Sequence, residues 1–211
     1  MKTPKVLIGL PTRSDVHGRT LTSLFSLSGT PETKVALSVQ MGSSTSGNRN
    51  TIVKQMLERG DDYLFFIDSD LEVAPDTLTK LIKADKDIIG ALYVRAVPPY
   101  NPTIMNKTTK DGKTKIQNVK DWDRTKPFKV WGIGTGAMLI KRKVLETLKD
   151  KLKGEWFKYS SIDGIPTQED IYFCNEAQKE GFEVWCDPTI PTRHWENYGF
   201  SVNEYDANKE K

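Results

Sequence analysis

Residues 63–73 read Tyr-Leu-Phe-Phe-Ile-Asp-Ser-Asp-Leu-Glu-Val, five unbroken apolar positions followed by two carboxylates one residue apart. A run without polar alternation is the mark of a strand buried on both faces, as in a parallel sheet sandwiched between helices. Ligands of such open sheets gather beyond the carboxyl ends of the strands. The reading therefore places Asp68 and Asp70 at a site rather than in a core.

Upstream, Lys5-Val-Leu-Ile-Gly-Leu-Pro11 is a second buried strand closed by proline, with Thr12, Arg13 and Asp15 in the loop that follows. Leu21, Leu24, Phe25 and Leu27 recur at helical spacing, Val35 to Met41 returns to the strand signature, and Ile52, Val53, Met56 and Leu57 share one helical face. Gly60 and the Asp61-Asp62 pair end that helix. Downstream, Pro75 opens a helix carrying Leu78, Leu81 and Ile82, and residues 87–94 (DIIGALYV) form another strand. This alternation predicts an α/β fold: a mostly parallel central sheet flanked by helices.

The second half is less periodic. Residues 95–129, rich in Pro, Asn, Lys and Asp, predict a long excursion with short edge strands. Residues 130–140 (VWGIGTGAMLI) read as a glycine-laden strand, 141–152 as a basic amphipathic helix, and 168–177 as the start of a helix with Glu169 and Asp170 in its first turn. Residues 1–200 are expected to form one domain and 201–211 a polar tail or linker.

Composition excludes several classes. The chain has 211 residues, 37% of them hydrophobic, enough for a sizeable core. The balance of 31 basic against 28 acidic residues speaks against a nucleic-acid partner. Cys174 and Cys186 stand apart, outside any C-x-x-C pair, and predict plain thiols in a reducing compartment. The first apolar run, Val6 to Leu10, is too short for a signal or a membrane span, so a soluble cytoplasmic protein is expected. The lysine-rich stretches 107–129 and 141–158 read as solvated faces before they read as a membrane patch.

Two carboxylates in Asp-x-Asp repel each other by roughly 4 kcal/mol at 4 Å and an effective dielectric near 20. A hard divalent cation completed by substrate phosphates is the usual remedy, though an isolated pair is also compatible with a solvated turn. A phosphatase with Asp-x-Asp at a strand end needs Thr or Val where Glu72 stands. A sugar nucleotidyltransferase needs a glycine-rich first loop that residues 9–20 (GLPTRSDVHGRT) lack.

The ordered set KVLIGLPTR, SGNRN, YLFFIDSDLEV, DIIGALYVR, WGIGTGAMLI, QEDIYFCNEAQKEGF and PTRH resembles the nucleotide-sugar glycosyltransferases of the GT-A (Rossmann-like) fold over residues 5–195. It is similar, in particular, to amino-terminal domains of this kind in multidomain chlorella-virus proteins, which implies fusion to further domains and, for a viral source, a host-cytoplasm location.

The resemblance implies a transferase that moves a hexose from a UDP-sugar to a glycan or glycoprotein hydroxyl. Asp68, Asp70 and His194 would hold Mn²⁺ or Mg²⁺. Pro11, Thr12, Arg13, Asp15, Arg49 and Ser69, with the Asp pair, would bind the nucleotide. Asp170 would be the catalytic base and Glu169 its second candidate. Tyr93, Arg95, Trp131 and the glycines 132, 134 and 136 would face donor sugar or acceptor, the missing side chains giving a sugar ring close approach. Each residue has a plainer role open to it: helix capping for Asp170, an ion pair for Arg49, a core position for Trp131, a neighbour-bonded imidazole for His194. A binding domain that has lost turnover and a sugar nucleotidyltransferase are the alternatives, and the stereochemical outcome is open.

Overall fold

The computed structural model describes residues 3–28, 33–196 and 199–209. In chain order the first half runs β1 (Lys5–Pro11), α1 (Gly18–Ser28), β2 (Lys34–Gln40), α2 (Thr45–Arg59), β3 (Tyr63–Ile67), β4 (Leu71–Val73), α3 (Thr77–Lys83) and β5 (Ile88–Ala91). The second half runs β6 (Ile104–Lys110), β7 (Lys113–Asn118), β8 (Phe128–Val130), β9 (Gly132–Ile133), β10 (Ala137–Lys141), α4 (Arg142–Lys149), β11 (Ser160–Ile162), β12 (Ile165–Thr167) and α5 (Glu169–Lys179). It closes with β13 (Val184–Asp187), β14 (Thr192–Trp195), β15 (Gly199–Phe200) and α6 (Val202–Lys209).

A seven-stranded sheet in the order β2-β1-β3-β10-β5-β13-β8 forms the centre. β2, β1 and β3 pair in parallel, as do β5 and β13, while β10 and β8 run antiparallel to their neighbours. The sheet is thus mostly parallel, with helices on both faces. α2, α4 and α5 cover one face through Ile52, Met56, Leu148 and Phe173. α1 and α3 cover the other through Leu24, Leu27, Leu78 and Leu81. Leu64, Phe65, Phe66 and Ile67 of β3 are completely buried between the two layers. Each contributes roughly 1.5–3 kcal/mol by leaving water, which fixes where the end of β3 points.

β10 decides the site. Because it runs antiparallel between β3 and β5, its amino-terminal approach lies at the carboxyl end of β3. Residues 130–140 are therefore not one strand: the chain breaks at residues 134–136 so that β9 joins β6 while β10 enters the main sheet.

The 95–129 excursion is also more ordered than its composition suggests. β6 and β7 form a six-pair hairpin whose turn, Asp111-Gly112, takes φ of 50° and 71°. β11 and β12 turn through Asp163-Gly164 at 51° and 79°. Asp-Gly between strand-forming residues is the strongest short-range hairpin signal, because both turn positions need positive φ. Asp163 then joins the hairpins, accepting from Thr114 Oγ1 at 2.9 Å and pairing with Lys107 at 2.8 Å.

Most of the expected polar tail forms α6 instead. Tyr205 buries its ring beside Trp122 and donates to the Lys120 carbonyl at 2.8 Å, and Asp206 takes both ends of the Arg124 guanidinium. One aromatic anchor and a bidentate pair suffice to dock a polar helix. Residues 210 and 211 lie outside the described residues.

Candidate active site

The Asp68–Asp70 turn leaves β3 and is pinned from three distant segments. Asp68 N donates to the Gly136 carbonyl at 3.0 Å, the Ser69 carbonyl accepts from His17 N at 2.8 Å, and the Asp70 carbonyl accepts from Trp195 N at 2.8 Å. The His17 and Trp195 rings stack at 5.1 Å and brace the last two of these contacts. Both carboxylates are thereby aimed before any ligand arrives.

Arg49 sits on α2, only 4% exposed, with one guanidinium nitrogen on Asp68 Oδ1 at 2.8 Å and the other on Glu169 Oε1. Its fork thus ties the end of β3 to the start of α5. The two carboxylates keep this arginine charged despite its burial, while its Nε has no partner among the described residues. Burial and the neighbouring Asp70 charge raise the Asp68 pKa above the usual carboxylate range, and Arg49 only partly offsets them.

His194 comes from β14. Its Nδ1 lies 2.9 Å from the Val94 carbonyl, which can only accept, so Nδ1 carries the proton and Nε2 faces Asp70 Oδ2 at 3.3 Å. An imidazole whose Nδ1 is anchored on a backbone carbonyl presents Nε2 to a metal once the proton it shares with Asp70 is given up. Burial opposes the charged ring, but the Asp70 hydrogen bond and charge outweigh it and raise the pKa above the ordinary histidine value. Among the described residues, no group of three or more His, Cys, Asp or Glu side chains is already gathered as a closed metal cage. An Asp–His arm left open to phosphate oxygens fits a cation that keeps substrate in its coordination sphere.

Glu169 and Asp170 are the first two residues of α5; the N-cap is Gln168, so neither carboxylate is the cap itself. Glu169 is committed to Arg49. Asp170 Oδ1 accepts from Ile171 N at 2.7 Å, and its other oxygen has no protein partner among the described hydrogen bonds. Burial, then the adjacent Glu169 charge, push the Asp170 pKa up to about 6.

Two adjoining cavities meet at this cluster. One, of about 400 Å³, is lined by Pro11, Thr12, Arg13, Asp15, Ser69 and Asp70. The other, of about 330 Å³, is lined by Tyr93, Arg95, Glu169 and Asp170. Thr45, Arg49, Asp68 and His194 line both. A larger hollow of about 650 Å³ between α2 and α4 has no such convergence of carboxylates at a strand end.

The remaining expected positions fall elsewhere. The space beside Gly134 and Gly136 is filled by Tyr93 rather than left open for a sugar ring: a Cβ would stand 2.3 Å from Tyr93 Oη at Gly134 and 2.7 Å from Tyr93 Cζ at Gly136. Tyr93 Oη accepts from Gly136 N at 3.0 Å. Gly132 meets Ile171, and Trp131 lies under Lys107 with its carbonyl bonded to Gln178, outside both cavities. The reason is packing: residue-type arguments identify room without saying what fills it.

Sequence reasoning missed Thr45, Asn118, Thr135 and Gln168. Thr135 is 1% exposed with its hydroxyl unpartnered among the described residues. Its place between two glycines in a strand-to-strand break was a usable signal. Asn118 carried none.

Residues 42–149, more than half of the chain, match the family described as "Glycosyl transferase family 2", a stretch that holds Arg49, the Asp68–Asp70 turn and β10. The chain belongs to glycosyl transferase family 2. Membership establishes a transferase of GT-A fold and implies a nucleotide-sugar donor and an acceptor. Among solved structures it is similar to "A197 from STIV", with 16% identity over 95% of this chain and 91% of that one and a TM-score of 0.62. It is also similar to the inositol-1-phosphate CTP transferase from T. maritima, with 12% identity over 99% and 96% and a TM-score of 0.52. At such identities the likeness is one of fold. No curated protein matches the sequence. No helix among the described residues is long and apolar enough to cross a membrane.

Proposed function

We propose that this family 2 member is a metal-dependent hexosyltransferase that takes a nucleoside-diphosphate sugar, UDP-hexose foremost, and glycosylates a hydroxyl of a glycan or glycoprotein. The observation that carries this is the position of Asp170, half-buried on the same cavity as Asp68 and Arg49 with a pKa of about 6. A carboxylate so tuned is ionised at neutral pH yet basic enough to take a proton. The acceptor oxygen attacks the anomeric carbon as its proton passes to Asp170. The bond from that carbon to the diphosphate breaks with its electron pair on the departing nucleoside diphosphate, and in-line attack of this kind inverts the anomeric centre.

The donor's nucleotide is assigned to the cavity of Pro11, Thr12, Arg13 and Asp15. Carboxylates outnumber guanidiniums across the two cavities: Asp15, Asp68, Asp70, Glu169 and Asp170 against Arg13, Arg49 and Arg95. A diphosphate is repelled by that excess without a cation. Asp70 and His194, with Asp68 beside them, would hold Mn²⁺ or Mg²⁺, which when bound supplies Lewis-acid stabilisation of the leaving group. Arg49, engaged by two carboxylates, is assigned to positioning them more than to phosphate. Sugar contacts are assigned to Tyr93 and Arg95, which line the same cavity as Asp170. A viral source and fusion to further domains belong to the same proposal.

Calorimetry of UDP and GDP with and without Mn²⁺ tests the binding half, and Asp170→Asn the chemical half. Metal-dependent UDP binding that survives Asp170→Asn, with hydrolysis or transfer of a UDP-sugar lost, is expected. Unchanged turnover in that variant rejects the base. Formation of a nucleotide sugar from a nucleoside triphosphate and a sugar 1-phosphate would establish nucleotidyl transfer instead.

A further inference from the structure

The sheet ends at β2, and this edge is unusual. Its seven residues pair in register with β1, and no described strand pairs with its outer side. An open edge offers a row of unpaired N–H and C=O groups, which proteins normally blunt with charge, proline or a bulge. β2 has only Lys34, at its start, and no proline. The opposite edge strand, β8, is three residues long and carries Lys129 paired to Glu183.

Apolar side chains collect at the same corner. Of the seven large hydrophobic residues exposed in the described structure, Leu37, Val39 and Met41 belong to β2 and its exit and Leu21 and Phe25 to α1. Ile8 and Leu10, which pair with Leu37 and Val39, pack into the layer that α1 covers, so the β2 side chains emerge on the α1 face. On α1, Ser23 bonds Val73 of β4, and Leu21 and Phe25 lie about 160–200° around the helix from it. Both therefore lie on the side of α1 away from β4.

Fractional exposures of 44–76% on side chains of roughly 150–200 Å² leave on the order of 500 Å² of apolar surface here, at the size where a patch marks an interaction site. Doubled across a two-fold axis, that is about 1,000 Å² from five residues alone, against roughly 1,200–2,000 Å² for a stable interface.

We propose that this corner is a self-association surface: two copies pair their β2 edges antiparallel about a two-fold axis normal to the sheet. That single operation satisfies both observations. It joins the two sheets through backbone hydrogen bonds and keeps both α1 helices on one face, where Leu21 and Phe25 of each copy cover the Leu37 and Val39 seam. The carboxyl end of β3 stays open in both copies, at opposite ends of the joined sheet, so the interface neither needs nor blocks the proposed transferase site.

Sedimentation equilibrium of the full chain from about 1 to 200 µM tests this. Twice the 23.9 kDa chain mass at the upper end is expected, with at least tenfold weaker association in Leu37→Lys and in Val39→Lys while circular dichroism is unchanged. If a variant fails to fold, hydrogen exchange of the wild-type β2 amides decides, slowing as concentration rises. A monomer at every concentration, a dimer that ignores both substitutions, or β2 exchange independent of concentration overturns the proposal. So does flotation of a monomeric chain with phosphatidylcholine–phosphatidylglycerol vesicles, which would assign the patch to a lipid surface.

Discussion

Replacing Asp170 by Asn should stabilise the protein while removing its chemistry. In the folded chain burial, then the Glu169 charge, penalise the ionised form of this carboxyl and push its pKa up to about 6, from about 3.9 for an ordinary aspartate. The folded state therefore binds the Asp170 proton more tightly than the unfolded chain does. Stability from this group is fully present below the unfolded pKa and is lost as pH rises through about 6. The difference of about two pKa units corresponds to about 3 kcal/mol at neutral pH and above.

Asn keeps an acceptor for Ile171 N but has no charge to bury. Relative to wild type, Asp170→Asn should gain about 3 kcal/mol at pH 8, or about 6–12 °C in Tm for a chain of this size, and almost nothing at pH 3.5. Urea unfolding of both proteins across that range, without added metal or nucleotide, reads the difference directly. A stability gap that does not widen between pH 4 and 7 refutes the assignment of a strained, ionised Asp170.

Arg49→Ala should cost about 3–5 kcal/mol at neutral pH, since it leaves Asp68 and Glu169 without their shared cation, and part of that loss should return on acidification in the same unfolding assay. Tyr93→Phe strips the acceptor from the Gly136 amide and should cost about 1–3 kcal/mol; Gly136→Ala should cost a similar amount by overpacking against the Tyr93 ring, and a double cycle of Gly136→Ala with Tyr93→Ala should show strong coupling. Manganese-dependent UDP binding, measured by calorimetry, should weaken as pH falls through the raised pKa of His194, because the proton competes for Nε2, and His194→Gln should flatten that dependence. Asp163→Ala, which unclips the two hairpins, should change stability by no more than about 1 kcal/mol because the Lys107 pair is part-exposed.

The βαβ half of the fold is legible because its signals are local. Apolar runs at 5–11 and 63–67, helical spacing at 52–57 and glycine or carboxylate stops each depend on neighbours a few residues apart. The Asp-Gly turns at 111–112 and 163–164 are equally local and mark hairpins inside what composition alone presents as a loop. α6 was hidden because its docking rests on Trp122 and Arg124, some 80 residues away in sequence. The insertion of β10 between β3 and β5 was hidden for the same kind of reason, since no residue of β10 states which strands it will join.

The site divides along the same line. By itself the sequence determined that a buried strand would end on Asp68 and Asp70, and that Glu169 and Asp170 would open a helix, because strand burial and helix starts are written in adjacent residues. Only the tertiary structure decided that Arg49 would clamp one carboxylate from each pair, that Tyr93 would fill the space the glycines leave, and that Asp170 would be buried enough to shift. Those outcomes depend on charges and volumes brought together from segments between 19 and 120 residues apart, where Coulomb energy and close packing act on distance in space and not along the chain.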